Sequence, residues 1–150
     1  MTAKIAARTA QWPLAAEFTF NFDDTMKDTA GVTRDFGSLA GGSSAATFYA
    51  FEPIPLPVGA TVIGGHVVTD TAFDTAGYDV KVGDSASVDR YLGSTDKKGT
   101  GLTELVPTGY VGVGENLRVS VSTDDACTTG KMTVRVLYTI ANRANENTIN

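Results

Sequence analysis

Between residues 132 and 140 the chain places Met132, Val134, Val136, Tyr138 and Ile140 on one side of an extended backbone, with Thr133, Arg135 and Thr139 on the other. Such strict period-two alternation marks a β-strand with one buried face. Burying the five apolar side chains gains on the order of 10 kcal/mol. Ordering the nine backbone units costs roughly 1–2 kcal/mol each, so the two nearly cancel. A hairpin alone would not survive, and the strand must belong to a sheet that packs on a second sheet. The pattern predicts an all-β, single-domain antiparallel β-sandwich or jelly roll.

The remaining segments supply strands for both layers. Residues 14–24 carry Phe18, Phe20 and Phe22 at period two and end in Asp23, Asp24 and Asp28, read as solvated turn residues. A short strand is expected over 32–36, a flexible loop over 37–44, and another strand over 46–51. Pro53, Pro55 and Pro57 then require an extended connector or a sheet edge, because proline gives no donor to a ladder. The longest β-rich run, residues 56–73, is answered at once by residues 77–83, and the two are expected to be neighbouring strands. In the long run Val62 and Val68 share one face and Ile63 and Val67 the other, while Gly64 and Gly65 suggest a bulge or a close backbone approach. His66 has the parity of Val62 and Val68 and is expected to be a hydrogen-bonded structural residue. Residues 84–101 read as a long polar surface loop holding Tyr91 and Leu92. Strands resume at 102–106 and at Leu117, Val119 and Val121. The expected domain plan is an N-terminal arm over 1–13, the sandwich over 14–143, and a polar tail over 144–150.

Composition narrows function. The chain is 42% hydrophobic and 19% charged, too apolar for disorder and low enough in charge to suggest a surface that meets other protein. Net charge is −5 and the 12 Lys and Arg are scattered, so nucleic acid, which needs a basic footprint, is not an expected partner. No run of about 18 apolar residues and no signal-peptide core is present, so neither a membrane partner nor export is expected. Cys127 is the only cysteine and His66 the only histidine, which removes an intrachain disulfide and thiolate or histidine metal clusters. The carboxylates at 23, 24 and 28 lack the spacing of a calcium loop. Residues 109–114 and 93–100 have the glycines of nucleotide-binding loops in the wrong order, and no nucleophile elbow is present. The sequence is read as non-enzymatic, with no cofactor and no catalytic or metal residues.

The stretches LPVGATVIGGHVVTDTAF, DVKVGDSASVDRYLGSTD and GLTEL, closed by MTVRVLYTIANR, together resemble small virion structural proteins of tailed bacteriophages, of the head decoration or cement type. The resemblance covers roughly residues 53–143. It implies a β-sandwich or jelly roll that assembles as a homo-oligomer, a trimer being favoured. It further implies binding of the major capsid protein on the outer surface of the virion head after synthesis in the host cytoplasm. It brings no catalytic residues. From the residues themselves, Lys4, Arg8 and Trp12 in the arm and the aromatics Tyr91 and Tyr110 are the candidate contacts with capsid or neighbouring subunits, since Trp and Tyr concentrate binding energy at interfaces. Two other readings stand beside this one. One is a tail or head-fibre component, and the other is a carbohydrate-binding module stacking sugars on Tyr91, Tyr110 or Trp12.

Overall fold

The structure, a computed structural model, describes residues 12–39, 47–141 and 143. Ten strands follow in order: β1 (Leu14–Asn21), β2 (Thr25–Lys27), β3 (Thr33–Asp35), β4 (Tyr49–Pro55), β5 (Ala60–Thr71), β6 (Tyr78–Asp84), β7 (Leu92–Asp96), β8 (Gly101–Glu104), β9 (Asn116–Thr123) and β10 (Lys131–Ile140). No described segment forms a helix. One sheet has the order β1-β10-β5-β8 and the other β4-β9-β6-β7, while β2 and β3 form a small hairpin between β1 and β4. Every pairing is antiparallel.

The alternation of β10 sets the core. Met132, Val134 and Val136 are fully buried, and they face Phe51, Val80, Val82, Leu117, Val119 and Val121 of the second sheet. Phe20 lies opposite Met132 and Phe18 opposite Val134. Phe36, delivered by the β2–β3 hairpin, stacks on Phe20 at 4.1 Å and meets Phe51 at 4.7 Å, so one aromatic column ties the sheets together.

Several expectations are corrected. The run over 56–73 and the run over 77–83 are not partners: β5 lies between β10 and β8, β6 between β9 and β7. The connection crosses between sheets because it turns Phe73 inward onto Tyr78, ring to ring at 3.7 Å. The bulge at Gly64 and Gly65 is real and changes the parity of β5. Tyr138 pairs with Val62 but Leu137 with Gly64, so one residue is skipped. Val62 and Val67 therefore both point into the core, while Ile63 is turned out. Gly65 adopts a φ of 132°, and a Cβ there would sit 2.2 Å from the Arg135 carbonyl oxygen, which is why glycine occupies it.

The stretch over 84–101 is no surface loop throughout. Tyr91 and Leu92 are buried, β7 starts there, and the buried Lys97 gives its ammonium to the Gly101 carbonyl and the Thr103 hydroxyl. Leu39, in the expected flexible loop, is fully buried, and residues 40–44 lie outside the described residues. Asp28 is buried, not solvated, and accepts from the Ala30 and Val32 amides and from Arg34 Nε. Pro53 and Pro55 lie inside β4, an edge strand, where a missing donor is tolerated.

Candidate binding surface

The antiparallel plan gathers alternate connections at one end of the sandwich. The β4–β5 turn, the β6–β7 and β8–β9 connections, the start of β1 and the end of β10 meet there, because Leu14 pairs with Tyr138 and Ile140 with Ala60. Residues 109–114 are bound into this end. The Gly59 amide donates to the Gly112 carbonyl at 2.7 Å, the Gly112 amide to the Ala60 carbonyl at 2.8 Å, and Val111 bridges Thr61.

Of the candidate contact residues, Lys4 and Arg8 lie outside the described residues. Trp12 is 83% exposed immediately before β1. Tyr110 is half-buried in the β8–β9 connection. Tyr91 belongs to the interior: only 3% of it is exposed, and burial pushes its phenol up to about 12. It therefore has no ring face to offer a partner. The Tyr91–Leu92 pair, set between Arg90 and Gly93 in an otherwise polar stretch, gives little local sign of this, since the pairing of β6 with β7 is what draws it into the sandwich.

Tyr110 is held from both sides. The Arg90 guanidinium lies 3.6 Å from its ring centroid, and its hydroxyl donates to Glu115. That hydrogen bond holds the Glu115 carboxyl below its ordinary range and raises the Tyr110 phenol. Arg90 is fixed in turn by Asp84, whose buried carboxylate accepts Arg90 Nε at 2.5 Å and the Ala86 and Ser87 amides at 3.0 and 2.8 Å. Asp84, Arg90, Tyr110 and Glu115 thus lock the β6–β7 and β8–β9 connections to each other. With one ring face under Arg90, Tyr110 makes a poor platform for a sugar.

Apolar side chains on this end and on the adjoining outer face of the β1-β10-β5-β8 sheet were not singled out by sequence. Val58, Ile63, Leu102, Val106, Val111 and Val113 are all exposed. The available signal was valines placed in a Gly- and Pro-rich connection, PTGYVGVG, where a solvated turn has no use for them. Beside them runs a polar row in register across the same face, Glu17, Arg135, His66 and Glu104. Arg135 donates to Glu17 and, at 2.9 Å, to His66 Nε2, so His66 is hydrogen-bonded as expected.

The opposite end is acidic. An open groove of about 310 Å³ is lined by Phe22, Asp23, Thr25, Asp35, Ser38 and Cys127. Burial pushes the Cys127 thiol up to about 11, which suppresses the thiolate form that attacks or binds metals. Among the described residues, no group of three or more His, Cys, Asp or Glu is placed to hold a metal ion.

No known protein family matches the chain, and no curated protein matches it in sequence. Solved structures do. A chain of the cyanophage Pam1 capsid asymmetric unit is similar over 91% of this chain and 92% of its own, at 20% identity and a TM-score of 0.57. A chain of the capsid of Ralstonia phage GP4 is similar over 95% of this chain and 93% of its own, at 13% identity and a TM-score of 0.51. The chain thus resembles chains of two phage capsids in fold over more than nine-tenths of its length.

Proposed function

We propose that this chain is a non-enzymatic phage virion protein of the decoration type, which binds the outer surface of the capsid as an oligomer and stabilises the head. The observation that carries the reading is the likeness to phage capsid chains over more than nine-tenths of both partners. The strand order supports it. Leaving out the β2–β3 hairpin, eight strands divide between two four-stranded sheets, changing sheet at every connection but β6–β7, with the first beside the last in one sheet and the second beside the second-last in the other. This is the jelly-roll order found in viral shells.

In this reading residues 14–143 are the jelly-roll body, and residues 1–13 an arm whose Lys4, Arg8 and exposed Trp12 contact the major capsid protein. Residues 144–150 are a polar tail. A trimer is favoured because several modest contacts to a repeating lattice add up by avidity. The protein acts on the capsid surface after assembly in the host cytoplasm. A buried Tyr91 and a covered Tyr110 weigh against the carbohydrate-binding alternative.

Co-sedimentation with undecorated, expanded shells tests the proposal. Saturable, stoichiometric binding that raises the temperature of shell disruption is expected, and protein left in the supernatant at every shell concentration would refute it. Immunogold label on the tail would move the protein to the tail or fibre class.

A further inference from the structure

We infer that the face formed by β5, β8 and the 107–114 connection is the contact between copies of this chain. The inference rests on the oligomer part of the reading above, and its evidence is the one-sided distribution of exposed apolar residues. Among the described residues nine large hydrophobic side chains are exposed, and six of them, Val58, Ile63, Leu102, Val106, Val111 and Val113, belong to this face or its rim. None of the nine lies on β4, β6, β7 or β9.

Backbone bonds bring five of the six together, while Leu102, opposite Val68, lies beyond the His66–Glu104 pair on the same face. The Leu105 amide donates to the Gly65 carbonyl, bringing Val106 beside the bulge that turns Ile63 outward. Val111 bridges Thr61, two residues before Ile63. A Cβ on Gly114 would lie 3.3 Å from Val58 Cγ2, so the valine at the β4–β5 turn rests on the 107–114 connection. The bare Gly64 leaves the face shallow there, since a Cβ on it would meet only Leu137 Cδ1, at 3.8 Å.

A second copy is the occupant that fits. The six side chains are 42% to 74% exposed, and together they present several hundred Å² of apolar area. That reaches the roughly 300–600 Å² of the largest apolar patch on an ordinary monomer and most of the ~800 Å² that each partner buries in a standard interface. The chain carries a net charge of −5, so copies repel one another across most of their surface. At the valine-rich end, Glu115 is held by Tyr110 and the Val113 amide, and Arg135 by Glu17 and His66, while the exposed Glu104 marks the polar border of the patch on β8. β8 is also the edge strand of its sheet, so a copy docking on this face would lie along it. Trp12 and the arm leave from β1, at the far edge of the same sheet, so capsid and copy can be bound together.

Light scattering after gel filtration tests this with the full chain, the double variant Val106→Asp/Val113→Asp, the milder Val106→Ser/Val113→Ser, and Val32→Asp as an exposed valine beside β3, away from the face. The wild type and Val32→Asp should run as oligomers of equal mass. The double Asp variant should run with the mass of one chain and an unchanged β circular-dichroism spectrum, and the Ser pair should dissociate at higher concentration than the wild type. A monomeric wild type, or Asp and Ser pairs that both keep the wild-type mass, would overturn the inference. Shell co-sedimentation separates the two claims. An oligomer that ignores shells defeats the decoration reading alone, and a monomer that coats them defeats this inference alone.

Discussion

Two carboxylates carry much of the local order outside the core, and they respond differently to change. Asp74 accepts the Thr128 hydroxyl and the Thr128 and Thr129 amides, which holds its pKa down from 3.8 to about 2 and pins the β9–β10 turn to the β5–β6 connection. A depressed folded-state pKa means stability that is fully present above the unfolded value and lost as pH falls through the folded one. The urea midpoint of the wild type should therefore drop between about pH 4 and pH 2, and Asp74→Asn should drop less over that window. An equal decline in both proteins would show that Asp74 is not a source of acid sensitivity. Asp84 is the buried counterpart. Removing it in Asp84→Ala strands Arg90 and two amides, and should cost about 3 kcal/mol in urea unfolding. A loss under ~1 kcal/mol, the scale of a surface pair, would mean that solvent replaces the carboxylate freely.

At the scale of elements, the bulge in β5 decides which residues the chain shows to a partner. Gly65→Ala forces a Cβ against the Arg135 carbonyl at a φ of 132° and should destabilise by about 3 kcal/mol or prevent folding. Gly64→Ala meets only Leu137 Cδ1 at 3.8 Å and should fold with near-normal stability. Equal urea midpoints for the two would contradict the bulge geometry. The proposed N-terminal arm has its own test. Deleting residues 1–12 should leave the β circular-dichroism signal intact while weakening shell binding, and undiminished binding would show the arm to be dispensable. Much at this scale was legible in sequence. The alternation of Met132, Val134 and Val136 named the inward face of β10, and the Gly64–Gly65 pair signalled an interruption in β5. Its effect on parity was not legible, because whether a bulge adds or skips a residue depends on the partner strand, some 70 positions away. The pairing of β6 with β9 was hidden for the same reason, and a short connection suggested the wrong neighbour. Tyr91 was misplaced because, apart from Leu92, the residues around it are polar, and its backbone is held by Val82 and Val106, which lie outside that stretch.

At the scale of the whole molecule the sandwich is polar from end to end. One end gathers both ends of the described sandwich with Val58, Val106, Val111 and Val113, and the other collects Asp23, Asp35, Asp74, Asp124 and Asp125 around the β1–β2, β5–β6 and β9–β10 connections. On the proposed reading, the valine-rich end and face would meet copies of the chain and the acidic end would face solvent. The apolar surface could be noticed in sequence only as valines in PTGYVGVG, and no local pattern says that they join Ile63 and Leu102. Electron cryomicroscopy of the virion that carries this protein tests the central claim most directly. The account predicts sandwich-shaped density on the outside of the head, repeated with the capsid lattice, copies touching through the β5–β8 face. Density for this chain confined to the tail, or absent from the head exterior, would contradict it.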